Sequence, residues 1–173
     1  MTHPPVVVVD EHDHEIGKAM LAEVWEKGLY HRIVHIIAED EDGRVLLQHR
    51  AADAKLWPNC WDHSAGGHVD EGFTYDSAAR AEVAEELGLQ EVQLEAVATH
   101  PTRITHNGHI LNRFTRLYRI RITKDTPLRI NEEELSATRW FTLPELRAAL
   151  KTRPQDFTDV LRYTIETYYP EKG

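Results

Sequence analysis

The stretch "GGHVDEGFTYDSAARAEVAEELGL", residues 66–89, decides the fold, because it joins a glycine pair to a helix rich in carboxylates. Apolar spacing predicts a helix over residues 75–87. Glu82, Glu85 and Glu86 follow the i, i+3, i+4 pattern that places side chains on one side of a helix. The sequence therefore predicts a carboxylate face within about one helical turn.

Like charges on one helical face repel each other, so this face would be stabilised by holding a cation. Mg²⁺ and Mn²⁺ prefer carboxylate, carbonyl and water oxygens. Gly66 and Gly67, which come just before the helix, lack a Cβ and permit close approach of a ligand to the backbone. A solvated acidic face is the other interpretation, because charge runs usually face solvent. The spacing alone leaves both interpretations open.

The rest of the chain mixes strands and helices without a regular β-α-β alternation, which favours an α+β fold with a mixed sheet covered by helices. Alternation and turn signals predict strands over residues 6–10, 32–40, 44–50, 61–65, 91–100, 113–122 and 139–141. Further helices are predicted over residues 19–27, from a capping box at 142–145 to about 150, and over 157–168, with a turn at 11–17. We expect a single domain over residues 1–173: an N-terminal extension (1–30) with a short strand and helix, a core (31–150) and a C-terminal helix (151–173).

The composition argues against several classes of protein. The chain has 173 residues, of which 41% are apolar, and its net charge of −9 argues against a nucleic-acid polymer as partner. No apolar run reaches the length of a membrane span, and the first residues show no leader, so no membrane association is expected. Cys60 is the single cysteine, which excludes an internal disulfide, and we expect a cytoplasmic protein. Exposed edge strands allow a homodimer.

The segment that starts at Gly67 resembles the signature of the Nudix hydrolases, G-x5-E-x7-R-E-U-x-E-E-x-G-U, in which U is aliphatic. The matching positions are Glu82, Val83, Glu85, Glu86, Gly88 and Leu89. The first glutamate of the signature is Phe73 in this chain, and its arginine is Ala81. "VLLQHRA" (45–51) and "TRWFTLPEL" (138–146) are similar to the strand before the signature and to the closing strand and helix. The resemblance covers most of residues 31–150.

The resemblance implies a Nudix-type α/β/α sandwich with a mixed central sheet. It also implies a metal-dependent pyrophosphohydrolase that acts on a diphosphate-containing small molecule, such as a nucleoside diphosphate derivative. Glu82, Glu85 and Glu86 would be the catalytic residues and, together with the Gly67 carbonyl, the ligands of Mg²⁺ or Mn²⁺. In the family, the first glutamate and the arginine support the geometry of the loop and helix. Their loss at Phe73 and Ala81 predicts that metal binding survives more surely than fast turnover. A catalytically weak module that binds a diphosphate as a sensor or partner is therefore the alternative function.

Several segments also resemble isopentenyl diphosphate isomerase, a branch of the same superfamily. They are "LYHRIVH" (29–35), "LLQHRAADAKLWPNCWDHSAGGH" (46–68) and "AARAEVAEELG" (78–88). The isomerase places a cysteine where this chain has Gly66, and Cys60 lies six residues earlier. Its essential glutamate motif has no counterpart in "HILNRFTRLY" (109–118). Because proton addition and removal at carbon need a positioned acid and base, isomerase chemistry is the least favoured of the three functions.

Three further residues are candidates for binding the substrate. Arg50 ends a predicted strand and can either face phosphate or pair with a glutamate. His68 follows the glycine pair and can contact metal or phosphate, or act as an ordinary hydrogen-bonding group. Trp61 can stack on a base or an isoprenoid, or pack in the core. Weaker candidates of the same kinds are His31, His35, Trp57 and the glutamates at 132–134, which also suit a solvated loop.

Overall fold

The structure is a computed structural model that describes residues 2–171. Its strands are β1 (Val6–Val9), β2 (Glu15–Ala19), β3 (His31–Glu39), β4 (Val45–Arg50), β5 (Trp61–Asp62), β6 (Ala65–His68), β7 (Glu95–His106), β8 (His109–Arg121) and β9 (Leu135–Phe141). Its helices are α1 (Leu21–Lys27), α2 (Tyr75–Leu87), α3 (Leu143–Thr152) and α4 (Asp159–Tyr168), with a short 3₁₀ helix at Pro154–Asp156. The strands form one mixed sheet.

The central strand, β3, gives the sheet its shape. One edge of β3 runs parallel to β8 along its whole length. The other edge is shared, because β6 pairs with residues 33–36 of β3, whereas β4 pairs only with Ala38 and Glu39. From there β4 separates from β3 and pairs with β5 and β9 instead. The sheet is therefore split between β3 and β4, and a cleft lies in the split.

Helices cover both faces of the sheet, as expected for an α/β/α sandwich. Strand side chains alternate between faces, so Val34 and Ile36 of β3 face one side and Ile37 faces the other. The first face packs against α2 through Val83 and its apolar neighbours, and the second packs against α3 and α4. Burying an aliphatic side chain of this size stabilises the fold by about 1.5–3 kcal/mol. The sandwich and the mixed sheet predicted from the sequence are confirmed.

Helix α2 begins and ends at residues suited to those positions. At its start, Thr74 and Ser77 form a reciprocal capping box: Thr74 Oγ1 accepts from the Ser77 N–H at 3.2 Å, and Ser77 Oγ accepts from the Thr74 N–H at 2.9 Å. At its end, Gly88 adopts a left-handed conformation (φ 73°) and its N–H donates to the Ala84 carbonyl. The predicted bounds, 75–87, are confirmed, so the register of the glutamates on the helix is fixed.

Other predicted elements differ from the structure. Residues 15–17, predicted as part of a turn, belong to β2, which pairs with β1. Strands β7 and β8 are longer than predicted and form a hairpin closed by Asn107 and Gly108, both with positive φ. In the predicted capping box at 142–145, Thr142 does accept from the Glu145 N–H, but the Glu145 side chain pairs with Arg139 instead. No helix between residues 2 and 171 has both the length and the apolar character needed to cross a bilayer.

Candidate active site

A cavity of about 510 Å³ occupies the cleft in the split sheet. This volume is in the range of small-molecule sites. Both residues of the glycine pair line it, as do Glu82 and Glu86 from α2. Its other lining residues include His35, His68 and Arg113 from the central strands. The structure therefore brings the glycine loop and two of the three predicted carboxylates into one enclosed space.

Glu86 is the most enclosed of the glutamates on α2, with 4% of its surface exposed. Its Oε2 accepts hydrogen bonds from the Gly66 N–H and from Nε2 of Gln48, both at 3.2 Å. Burial, and then the negative charges of Glu82 and Glu134, hold the pKa of Glu86 well above its ordinary value. The fold thus positions a carboxylate in the cleft that has only two neutral donors to stabilise its charge.

Glu82 lies against the backbone of Gly67. A Cβ added to Gly67 would lie 2.8 Å from Oε2 of Glu82 and closer still to Oε1, so a side chain at residue 67 would displace this carboxylate. Burial, followed by the charges of Glu85, Glu134 and Asp70, raises the pKa of Glu82 to about 8. In this structure the group that lies close to the Gly67 backbone is Glu82, and the approach of a ligand to this glycine stays a prediction.

Glu85 differs from its two neighbours on the helix, because its side chain is exposed and does not line the cavity. Among residues 2–171, no three His, Cys, Asp or Glu side chains are close enough together to form a ready-made metal site. Burial first, and then the neighbouring carboxylates, disfavour the charged forms of Glu82 and Glu86. A hard divalent cation would compensate the negative charge of these buried oxygens, which no cationic side chain pairs with in the part of the chain that the structure describes. The residues present therefore fit Mg²⁺ or Mn²⁺.

The three predicted substrate-binding residues lie in different places. Arg50 lines the cavity, where its Nη1 lies 3.3 Å from Oδ2 of Asp62 and its Nε donates to the Leu56 carbonyl. His68 also lines the cavity; burial, and then the charges of His31 and Arg113, keep its pKa well below the ordinary value. Trp61 does not line this cavity, because its ring packs edge-on against Phe141, with 5.3 Å between ring centroids.

The weaker candidates divide in the same way. Trp57 and His35 line the cavity, and His35 stacks at 3.9 Å on His63. Glu133 and Glu134 line it as well, and Oε1 of Glu134 accepts a hydrogen bond from Asn131 at 2.8 Å. Cys60 is buried outside the cavity, with its Sγ 3.5 Å from the Gln155 carbonyl oxygen. Of the segment at 132–134, Glu133 and Glu134 thus contribute carboxylates to the site, whereas Glu132, like His31, does not line the cavity.

Gln48 and Arg113 line the cavity, although the sequence does not predict either as a site residue. Gln48, which donates to Glu86, occupies a buried position of β4, and Arg113 is 4% exposed on β8. Each gives only a weak local signal, because it is a polar residue in a strand that carries other polar residues as well. Such a position also suits the solvent face of a strand, so the signal does not distinguish the two.

The two departures from the signature have little effect on the packing. Phe73 is 43% exposed in the loop before α2, and Ala81 is partly buried on the helix. Arg80, the neighbour of Ala81, donates to the Val92 carbonyl at 2.7 Å and is exposed. It is therefore engaged away from the glutamates and does not replace the missing arginine.

An α/β/α sandwich whose split sheet admits glutamates from the helix after a glycine pair defines a Nudix-type domain. The NUDIX domain model matches residues 29–161, and the chain belongs to this family. It is 33% identical over 154 residues to isopentenyl-diphosphate Delta-isomerase 2 of Photorhabdus laumondii, covering 88% of this chain and 85% of that protein. It is 35% identical over 124 residues to an uncharacterized Nudix hydrolase of Listeria monocytogenes, covering 70% of this chain and 69% of the relative. The crystal structure of DR0079 from Deinococcus radiodurans shares the fold, with a TM-score of 0.77, 24% identity, and coverage of 95% of this chain and 99% of that one.

Proposed function

We propose that the protein is a Mg²⁺- or Mn²⁺-dependent hydrolase of a diphosphate-containing small molecule. The observation that carries this proposal is the pair of enclosed carboxylates, Glu82 and Glu86, beside Gly67 in a ligand-sized cavity. When bound, the ion would neutralise diphosphate charge and lower the pKa of an attacking water. Membership of the Nudix family supports the same reaction class.

The residues around the cavity suit distinct roles in this reaction. The ion would be held by Glu82, Glu86 and the Gly67 carbonyl. Glu85 would join them after a rotation of its side chain. Glu134 lines the same cavity, and burial and the charge of Glu85 raise its pKa, which makes its carboxylate a better acceptor for a proton from water. The Gln48 and Gly66 donors orient Glu86 towards the cavity.

Phosphate release tests the proposal. The parent protein is incubated with nucleoside and isoprenoid diphosphates, with and without Mg²⁺, beside Glu86→Gln, Glu85→Gln and the control Glu91→Gln, which alters an exposed residue beyond the helix. We expect Mg²⁺-dependent release that falls by roughly 100-fold or more in the first two variants and is unchanged in the control. The proposal would be contradicted if no diphosphate in a broad panel released phosphate and the Glu85→Gln variant did not differ from the parent.

A catalytically weak module that binds a diphosphate without fast turnover is the second candidate. It is favoured by Phe73 and Ala81, which replace the charged pair of the family signature. Mg²⁺-dependent thermal stabilisation by a diphosphate in the absence of any phosphate release would support this function. Rapid turnover of a diphosphate by the parent would contradict it.

Isomerase chemistry is the third candidate, and it is favoured by the 33% identity to proteins named isopentenyl-diphosphate Delta-isomerase. Residue 66, where the isomerase has a cysteine, is a glycine, and Cys60 lies outside the cavity. The parent is incubated with isopentenyl diphosphate and the product is analysed by NMR. Formation of the double-bond isomer would establish this function, and its absence would remove it.

A further inference from the structure

Arg113 is a buried cation in the cavity. Only 4% of its surface is exposed, and it lines the cavity from β8. Within residues 2–171 it forms no ion pair, and its Nε is enclosed without a hydrogen-bond partner. An enclosed cation with an unsatisfied donor destabilises a fold by up to several kcal/mol. Its guanidinium carbon lies 5.9 Å from the centroid of the Trp57 ring, a cation–π contact that offsets only part of this cost, so its retention needs an explanation beyond packing.

The nearest compensating charge is already engaged. Asp62 is the carboxylate that acts on the charge of Arg113. Its Oδ2 pairs with Arg50 at 3.3 Å, while its Oδ1 accepts from Oγ1 of Thr158 and faces Nδ1 of His63. Two guanidinium groups therefore share one carboxylate, which leaves this part of the cavity with an excess of positive charge.

Other enclosed donors lie near the guanidinium. Trp25 lines the cavity, and its Nε1 is enclosed without a partner. An indole N–H can only donate, as can a guanidinium. The ring of His68 lies 6.2 Å from that of Trp25, and its Nε2 is also enclosed without a partner. Arg113 and Trp25 thus form a wall of unsatisfied donors, one of them a cation, which is complementary to the oxygens of an anion, and His68 adds a donor in its Nε2–H tautomer.

The donor wall is separate from the glutamates. In the parallel register of β3 and β8, Arg113 lies opposite His31, on the sheet face away from α2, whereas its neighbour Phe114 packs on the α2 side. Glu82 and Glu86 enter the cavity from α2 through the split in the sheet. The cavity thus has an acidic end, formed by the glutamates, and a basic end, formed by Arg113 with Trp25 and His68.

We propose that Arg113 binds a second anionic group of the ligand, a phosphate or a carboxylate, at the end of the cavity away from the metal-bound diphosphate. This inference rests on the proposed function only in assuming that a metal-bound diphosphate occupies the acidic end. It narrows the substrate class to small diphosphates that carry a further anionic group. Arg113 is then a specificity-determining residue, because a ligand without that group leaves the guanidinium enclosed and unpaired.

Binding of small anions without metal tests the inference. Inorganic phosphate and succinate are titrated calorimetrically, in EDTA, into the parent, Arg113→Met, Arg113→Lys and the control Arg121→Met, which alters an exposed arginine of the same strand. We expect saturable binding to the parent and the control, roughly tenfold weaker binding to Arg113→Lys because the two-pronged guanidinium contact is lost, and none to Arg113→Met. Binding of phosphate alone, or of succinate alone, identifies which group this end accepts, and either supports the inference.

Two results would overturn the inference. One is that neither anion binds the parent. The other is that Arg113→Lys binds as tightly as the parent, a comparison that remains available if the methionine variant fails to fold. The titration requires neither metal nor turnover, so it is independent of the hydrolase proposal. If the parent releases no phosphate from any diphosphate of the panel but anion binding still depends on Arg113, the hydrolase proposal fails and this inference stands.

Discussion

Adding one methyl group to each glycine of the pair should separate metal binding from stability. Gly66 and Gly67 are adjacent in β6, and neither is in the left-handed region, so alanine adds only its Cβ. At residue 67 that Cβ meets the end of a flexible side chain, the Glu82 carboxylate. At residue 66 it would lie 2.9 Å from the Val34 carbonyl oxygen and 2.7 Å from Cδ2 of His35. The same substitution therefore meets a movable group in one case and the central strand in the other.

The two substitutions should have different magnitudes. In Gly67→Ala, Oε2 of Glu82 must move from 2.8 Å to beyond the 3.4 Å of ordinary contact, and Oε1 further. A side-chain torsion pushed about 30° away from its staggered rotamer costs about 0.5–1.5 kcal/mol. Mg²⁺ requires oxygens at 2.0–2.1 Å in near-octahedral geometry, so the displaced carboxylate should weaken its binding by roughly 10–100-fold. In Gly66→Ala the obstacle includes backbone, and overpacking of this kind costs about 1–3 kcal/mol of unfolding free energy.

Urea unfolding and Mg²⁺ titration calorimetry measure the two effects separately. Gly17→Ala is the control, since nothing lies within 4 Å of a Cβ at that exposed position. We expect Gly67→Ala to lose Mg²⁺ affinity with little loss of stability, and Gly66→Ala to lose stability. Parent-like Mg²⁺ affinity in Gly67→Ala would refute the placement of Glu82 in the metal site. Parent-like stability in Gly66→Ala would refute the tight packing of β6 on β3.

Three further predictions concern the same helix. Burial raises the pKa of Glu82 to about 8, above its ordinary 4.5, so the unfolding free energy of the metal-free protein should fall as pH rises from about 5 through 8. A Glu82→Gln variant should lose less unfolding free energy over this range. An equal loss in the variant and the parent would contradict the raised pKa of Glu82. Thr74→Ala removes the helix cap and should lower the urea unfolding free energy by about 1 kcal/mol; no change would mean that the capping box contributes nothing. Phe73→Glu combined with Ala81→Arg should raise turnover of a diphosphate by a larger factor than the product of the factors for the two single substitutions. A factor equal to that product would show that the two residues do not act as a unit.

The sequence predicts best those elements whose signals are local. The bounds of α2 follow from apolar spacing and from Gly88, and they are correct. The β7–β8 hairpin also carries a local signal, since Asn-Gly at 107–108 is the pair favoured in two-residue turns. It was predicted too short because polar residues alternate along β7, which is more exposed than β8. Strand β2 was missed for the same reason, because four of its five residues are exposed and its apolar pattern is weak.

The site was predictable only where one helix determines it. Glu82, Glu85 and Glu86 share a face by helical geometry, but which of them enters the cavity depends on where the sheet splits. That split follows from β4 leaving β3 after two residue pairs, which is a pairing between distant segments. Glu85 therefore looks equivalent to Glu86 in the sequence, although Glu85 is exposed and Glu86 is buried, with 4% of its surface exposed.

The position of Arg113 is even harder to predict from the sequence than that of the glutamates. In "RFTRLYRIRI" (113–122) the arginines at 113, 119 and 121 look alike, because alternation places all three on the same face of the strand. Parallel pairing with β3 sets Arg113 beside His31 at the cavity, whereas Arg119 and Arg121 reach Glu39. The charges of Arg119 and Arg121 are thus compensated by a carboxylate, whereas the charge of Arg113, earlier on the same strand, is not. One strand register therefore sets the backbone positions of all three arginines, and Arg113, which is 4% exposed, is enclosed in the cavity, where its charge can select a ligand.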